Sequence, residues 1–268
     1  MAQSDWAIQL FNKSVLKQQK FKEITAMLGL TDQLDCLDIG GDNGIISYML
    51  RSQGGNWKSA DLDTESVAAI EELIQSKVYR IDNDRLPFST KEFDRIVVVD
   101  FLEHIQDEKW FFEELQRILK PGGILLLNVP HLKNDLLRKL RILLGQTDEK
   151  HGHLRPGYTM TMVEKLIEDK FILLEYKTYS KFFSEFLDLV IVGLVSRIQQ
   201  NNGQPSPKGQ VILENDLQDR AGMFRIYSFI YPIIKLSAWF DKLLFFQSGY
   251  KLIIKVGVRK ISAESQLR

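Results

Sequence analysis

Apolar residues recur at helical spacing through residues 5–28, from Trp6 through Phe11, Val15 and Phe21 to Leu28, and Gly29 ends the pattern. The spacing predicts one N-terminal helix. Beyond it the rhythm changes to short apolar runs at 34–39, 57–61, 77–81, 93–99 and 123–129, which read as strands. Helical patterns lie between them near 44–53, 64–75 and 106–119. Ile96–Val99 and Ile124–Leu127 are apolar without alternation, as expected for strands covered on both faces of a parallel sheet. Strands separated by helices of this length predict right-handed crossovers and an α/β fold.

After Pro130 the pattern is less regular. A basic helical run over 132–144 leads to a loop, His151 to Tyr158, then a short helix at 161–169 and a strand at 171–178. Residues 182–198 and 223–246 are strongly apolar, the second rich in aromatics and broken by Pro232. Between them, Asn201 to Gly209 has the composition of a linker. Residues 250–258 read as a last strand. The resulting division is an N-terminal helical segment (1–30), a core (31–179), an apolar helical insertion (180–248), and a final strand with a tail (249–268).

Composition narrows the function classes. Lys and Arg total 35, as do Asp and Glu, so no net charge draws the chain toward nucleic acid. A nucleic-acid enzyme would require a local basic face, for which Lys133, Arg138, Lys139 and Arg141 are the candidates. The single cysteine, Cys36, lies in an apolar run and reads as a buried structural thiol. With only His104, His131, His151 and His153 beside it, no zinc-type Cys/His spacing exists and no metal is expected. The first residues lack a basic-then-apolar leader pattern, and no apolar stretch reaches spanning length. A cytoplasmic location is expected, with residues 182–246 as a candidate contact with the inner face of a membrane.

The candidate chemistry starts where the first strand, Cys36–Ile39, runs into Gly40-Gly41-Asp42-Asn43-Gly44 and a helix. Glycine there permits a sharp turn and close approach of a ligand, and the helix offers its first amides. A bare strand–helix turn would look the same, so the loop alone is ambiguous. Some twenty residues on, Asp61 ends the second strand, where a carboxylate can accept both hydroxyls of a ribose. Asp82 and Asn83 follow the third strand. Leu86-Pro87-Phe88, Phe93-Asp94 and Leu119-Lys120-Pro121-Gly122-Gly123 then come in order.

LDIGGDNG at 37–44, ADLD at 60–63, IDNDRLPFSTKEFDRIVVVDFLEHI at 81–105 and LKPGGILLLNVP at 119–130 together resemble the class I S-adenosylmethionine-dependent methyltransferases. The resemblance covers residues 34–130. It implies a Rossmann-like, doubly wound, mostly parallel seven-stranded sheet, here with an added N-terminal helix and a helical insertion before the last strand. It also implies S-adenosyl-L-methionine as cofactor, held by Asp38, Gly40, Gly41, Asp42 and Gly44 in the first loop. Gly40 and Gly44 would flank its methionine part, Asp61 its ribose and Asp82 its adenine amino group. Asn83 would lie beside the ring and Asp100 near the methyl donor. Asp42 departs from the pattern, standing where family members usually carry glycine; Asp tolerates left-handed backbone better than most residues, so the turn can still form.

Methyl transfer needs a base only when the acceptor must lose a proton. His131, after the fifth strand, and His153, in the His-Gly-His-Leu-Arg-Pro-Gly-Tyr loop, are the candidates, and His104 reads as a packed helix residue. Arg155 could hold an anionic substrate group or form a surface ion pair. The loop and tail loosely resemble methyltransferases of surface-glycan or lipid-linked sugar pathways, which implies a small or lipid-linked acceptor methylated at oxygen. The apolar insertion is open to three readings: a lid, a membrane-interface element, or a dimer face or extra core. A scaffold that keeps the fold without catalysis is the main rival. A nicotinamide-dependent oxidoreductase is disfavoured because it has no use for the Leu-Pro-Phe and Leu-Lys-Pro-Gly-Gly segments.

Overall fold

The computed structural model describes residues 3–41, 44–82, 85–144, 152–201 and 228–259. Among these, seven strands form one sheet in the order β3-β2-β1-β4-β5-β7-β6. The strands are β1 (Asp35–Ile39), β2 (Asn56–Asp61), β3 (Val78–Arg80), β4 (Phe93–Val99), β5 (Leu119–Pro130), β6 (Phe171–Tyr179) and β7 (Lys251–Val258). All pairings from β3 to β5 are parallel; β7 runs antiparallel to both β5 and β6. This is the doubly wound, mostly parallel α/β sheet expected from the apolar runs.

Alternation within each strand divides the core into two layers. Leu37, Ile39, Ile96 and Val98 pack on one face, against Phe111, Phe112 and Leu115 of helix α5 (Glu108–Ile118). Cys36, Val97 and Val99 face the other side, against helices α2 (Val15–Leu28) and α3 (Ile45–Arg51). Cys36 is fully buried, and burial pushes its thiol up to about 12, so it is inert at neutral pH.

Three local expectations change. The single helix expected over 5–28 is two, α1 (Gln3–Lys13) and α2, because Ser14 leaves the helical conformation and its hydroxyl accepts from the Lys17 amide to cap α2. A capping serine breaks no apolar pattern. The basic run over 132–144 becomes a shorter α6 (Leu136–Leu143), started by Asp135. The Leu119–Gly123 turn is part of the β5 run. Leu119 pairs with Phe93 and Ile124 with Arg95, so the residues between them bulge, with Gly122 in left-handed geometry.

Helix α4 (Thr64–Ile74) is capped by Asp63, which accepts from the Ser66 amide at 2.9 Å. Asp61 is thereby left for another task. Helix α7 (Met160–Ile167) precedes β6, and α8 (Phe182–Asn201) follows it. Asp241, far along the chain, accepts from the Phe183 amide at 2.8 Å and the Lys181 amide at 3.1 Å, so a buried carboxylate sits at the start of α8. Residues 228–240 form a further helix that stays beside the N-terminal segment, with Lys13 over the Tyr231 ring.

Candidate functional site

The strand order reverses between β1 and β4, and a parallel sheet leaves a crevice beyond its carboxyl ends at such a point. A cavity of about 660 Å³ opens there, within the range of small-molecule sites. Its floor is made by the ends of four strands: Gly40 and Gly41 after β1, Asp61 of β2, Asp100 after β4, and Pro130–His131 at β5. Lys17 and Lys20 of α2 and Arg138 and Arg141 of α6 reach over it, as does Glu185 near the start of α8.

The first glycines have a cause that the sequence did not reveal. Gly40 adopts φ +84°, and a β-carbon on it would stand 2.3 Å from the Val99 carbonyl oxygen and 2.8 Å from Phe101 Cβ. On Gly41 it would meet Ile70 and Ser47 at 2.7 and 2.8 Å. The loop is therefore glycine-bound by its own neighbours in β4, α3 and α4, before any ligand is considered. Gly44, at φ +79°, packs α3 against Ile70 of α4 and does not line the cavity.

Asp61 is nearly buried. One oxygen accepts from the Gly41 amide at 3.1 Å and the other from the Leu62 amide at 2.8 Å, which fixes the plane of the carboxylate at the cavity wall. Asp38 behaves differently. Its side chain is buried away from the cavity and accepts from Ser47, Ser59 and Arg51, clamping β1, α3 and β2 together. Its place before the glycine loop is thus that of an internal brace. Replacing Asp38 with alanine removes the acceptor shared by the buried Ser47 and Ser59 hydroxyls and one partner of Arg51, and is expected to cost about 2–3 kcal/mol, read as a lowered chemical-denaturation midpoint.

Asp82 is exposed, 3.7 Å from Arg80, and does not reach the cavity. Asp42 and Asn83 lie outside the described residues, as does His151.

Asp100 stands at φ +44° just past β4, paired with Lys20 from α2 and with Lys251 at 3.2 Å from β7. Burial raises its carboxyl, but the two ammonium groups outweigh that and hold it well below the usual carboxylate range. Asn128 of β5 donates to it at 3.2 Å and is itself bonded by the Tyr179 hydroxyl. None of these partners was legible in advance: Lys20, Asn128, Tyr179 and Lys251 come from four separate elements.

Both candidate bases reach the cavity. His131 Nδ1 lies 2.8 Å from the Gly249 carbonyl, so that nitrogen carries the proton and Nε2 is left as the basic one. His153 packs edge-on against His104, ring centroids 4.9 Å apart, and His104 Nδ1 lies 3.0 Å from the Gly152 carbonyl. His104 belongs to a 3-10 turn, Leu102–His104, that precedes α5, and it lines the cavity too. The loop bearing His153 is held by Arg155, which bonds the carbonyls of Ile105 and Gln106 and pairs with Glu108 at 3.2 Å. The buried Tyr158 hydroxyl lies 2.6 Å from Glu108 and 3.0 Å from the Leu102 carbonyl. Arg155 is therefore a loop clamp, which answers the choice between substrate group and ion pair in favour of the latter.

Beneath the two histidines lies Glu103, fully buried; burial and the charge of Asp100 push its carboxyl up to about 8. A glutamate inside the apolar run Phe101–Ile105 was the signal available for it. The basic residues of 132–144 form no flat face: Lys133, Arg138 and Arg141 turn into the cavity, where Arg141 pairs with Glu185.

Residues 37–127 match the family model described as "Methyltransferase domain". The demethylmenaquinone methyltransferase of Tropheryma whipplei (strain Twist) is 29% identical over 103 residues, covering 37% of this chain and 43% of that protein. The ubiquinone biosynthesis O-methyltransferase of Rickettsia bellii (strain OSU 85-389) is 28% identical over 105 residues, covering 35% and 41%. The matched stretch thus spans less than half the length of these relatives. Among solved structures, the cyclopropane synthase MmaA2 from Mycobacterium tuberculosis aligns with TM-score 0.56 at 18% identity over 91% of this chain and 84% of its own. The YcgJ protein from Bacillus subtilis aligns with TM-score 0.55 at 14% identity over 91% and 100%. At these identities the structural likeness speaks for the fold.

Proposed function

From the membership of this chain in the class I S-adenosylmethionine-dependent methyltransferases, carried by its domain at residues 37–127 and its sheet order, we propose that it methylates an oxygen of a small or lipid-linked acceptor. The observation that carries the reading is the cavity at the strand reversal, with Gly41 and Asp61 joined on one side and His131 on the other. S-adenosylmethionine, when bound, supplies a methyl group already activated by its sulfonium.

The residues present fit that cofactor. The Asp61 carboxylate, fixed at the cavity wall by the Gly41 and Leu62 amides, is an acceptor of the kind that a pair of ribose hydroxyls needs. Lys20 and Lys251, already beside Asp100, offer ammonium groups to a carboxylate. Catalysis is then chiefly alignment in a space lined by residues of α2, α6 and α8. His131, which lines the cavity with Nε2 as its basic nitrogen, would take the proton of an acceptor hydroxyl placed there for methylation. Asp61→Asn, which keeps the shape and removes the charge, is expected to weaken S-adenosylhomocysteine binding about tenfold by calorimetry.

An amphipathic acceptor is supported by an exposed apolar surface near the C-terminal end of the described residues. Phe229, Ile233, Leu236, Trp239, Phe245 and Phe246 are exposed on residues 228–246, with Lys235 and Lys242 among them. No helix of the described residues is long and apolar enough to cross a membrane. A patch of aromatics with lysines suits contact with the interface of an anionic bilayer. The relatives named for demethylmenaquinone and ubiquinone biosynthesis point to quinone-related acceptors.

Incubation with labelled cofactor and a cell lipid extract, followed by identification of the labelled product, tests the reading; binding of the cofactor product with no transfer to any extract would favour a scaffold. Flotation with anionic vesicles is expected to carry the full chain upward and to lose the Trp239→Ser/Phe245→Ser double variant. Full-length protein left in the soluble fraction rejects the membrane contact.

A further inference from the structure

Glu103, His104 and His153 form a cluster that methyl transfer as described does not use. One ligand atom from each lies within 4.8 Å of the others. Glu103 is fully buried, yet neither oxygen of its carboxylate has a hydrogen-bond partner. An interior carboxylate without donors is costly, and a group that accepts its lone pairs relieves that cost. His104 is oriented as a metal-binding histidine is: Nδ1 meets the Gly152 carbonyl at 3.0 Å and so carries the proton, leaving Nε2 with its lone pair. His153 faces it edge-on, on the loop that Arg155 and Tyr158 clamp to residues 102–108.

We propose that Glu103, His104 and His153 hold a divalent first-row cation of the zinc, cobalt or manganese class, with its open coordination positions toward the cavity. Two imidazoles and one carboxylate are ligands such ions accept, and three protein ligands leave room for a substrate oxygen. Ligand arms of about 2.1 Å would require the three atoms, now within 4.8 Å of one another, to approach to roughly 3.4 Å. Both histidines line the cavity, so an acceptor hydroxyl entering it would meet the ion. Resting on the reading of O-methylation, this assigns the acceptor a hydroxyl, or adjacent pair of hydroxyls, able to bind a cation; the bound ion would ease loss of the proton.

The test is titration of the full chain with Co²⁺, followed by visible absorption, beside calorimetry with S-adenosylhomocysteine. One saturable Co²⁺ site is expected. Glu103→Gln and, separately, His153→Ala should each weaken it at least about tenfold and alter its spectrum. Thermal unfolding identifies a variant that fails to fold, and His153→Ala, a loop change, keeps the test open if Glu103→Gln does so. No saturable Co²⁺ band, or one unchanged in folded variants, overturns the proposal and leaves Glu103 as a buried protonated acid under a histidine pair. Co²⁺ binding without S-adenosylhomocysteine binding would keep the cation site and reject the methyltransferase reading; the reverse result would do the opposite.

Discussion

Gly40→Ala is expected to abolish S-adenosylhomocysteine binding and to lower stability by about 3 kcal/mol or more. Two costs combine. The residue holds φ +84°, which an alanine adopts only with strain, and its β-carbon would stand 2.3 Å from the Val99 carbonyl, a backbone atom in a central strand. Neither neighbour yields by rotating a side chain, so the loop must leave β4, and Gly41 and the Asp61 contact move with it. Gly122→Ala is the control: φ is +80°, but nothing lies within 4 Å of the added carbon. It should cost only about 1 kcal/mol from backbone strain and leave binding intact. Equal effects of the two substitutions would show that strain alone, and not the crossing of loop and strand, makes Gly40 indispensable.

His131→Ala is expected to reduce kcat about a hundredfold while S-adenosylhomocysteine affinity stays within about twofold, since the base acts on the acceptor's proton. The bond to Gly249 fixes which nitrogen is basic, so added imidazole should restore part of the rate. A lost bond between β5 and the segment before β7 would instead lower stability and resist rescue. An unchanged kcat would remove His131 from the reaction, and with it the assigned destination of the proton.

How much of this was readable beforehand depended on distance along the chain. The strands of the parallel sheet were legible because runs such as Ile96–Val99 are apolar on both faces, which only a covered strand requires. Asp61 was legible because its position relative to the glycine loop follows from one strand–helix–strand unit. Ser14 was not, since a helix cap interrupts no hydrophobic period. Lys20 and Lys251 were not, because a lysine at the start of a strand or on a helix ordinarily marks the solvent; their meaning comes from Asp100, 80 and 151 residues away. Asp38 illustrates the opposite error. A family motif assigns the residue to the cofactor loop, while alternation along β1 turns its carboxylate to the layer shared by Ser47, Arg51 and Ser59. The His-Gly-His-Leu-Arg-Pro-Gly-Tyr segment showed its loop character, but Arg155 and Tyr158 gained a purpose only with Glu108 in place.

The antiparallel strand β7 lies between β5 and β6, although β6 precedes it by about seventy residues of chain. During synthesis, therefore, β5 and β6 wait as two unpaired edges until residues 251–258 have emerged from the ribosome. Lys251, Tyr250 and the Gly249 carbonyl that orients His131 arrive with the same segment. A nascent chain arrested before residue 249 would hold the glycine loop and Asp61 but lack one wall of the cavity. The exposed edges are also the places where such a chain would pair with another copy, so chaperone demand should peak in that interval.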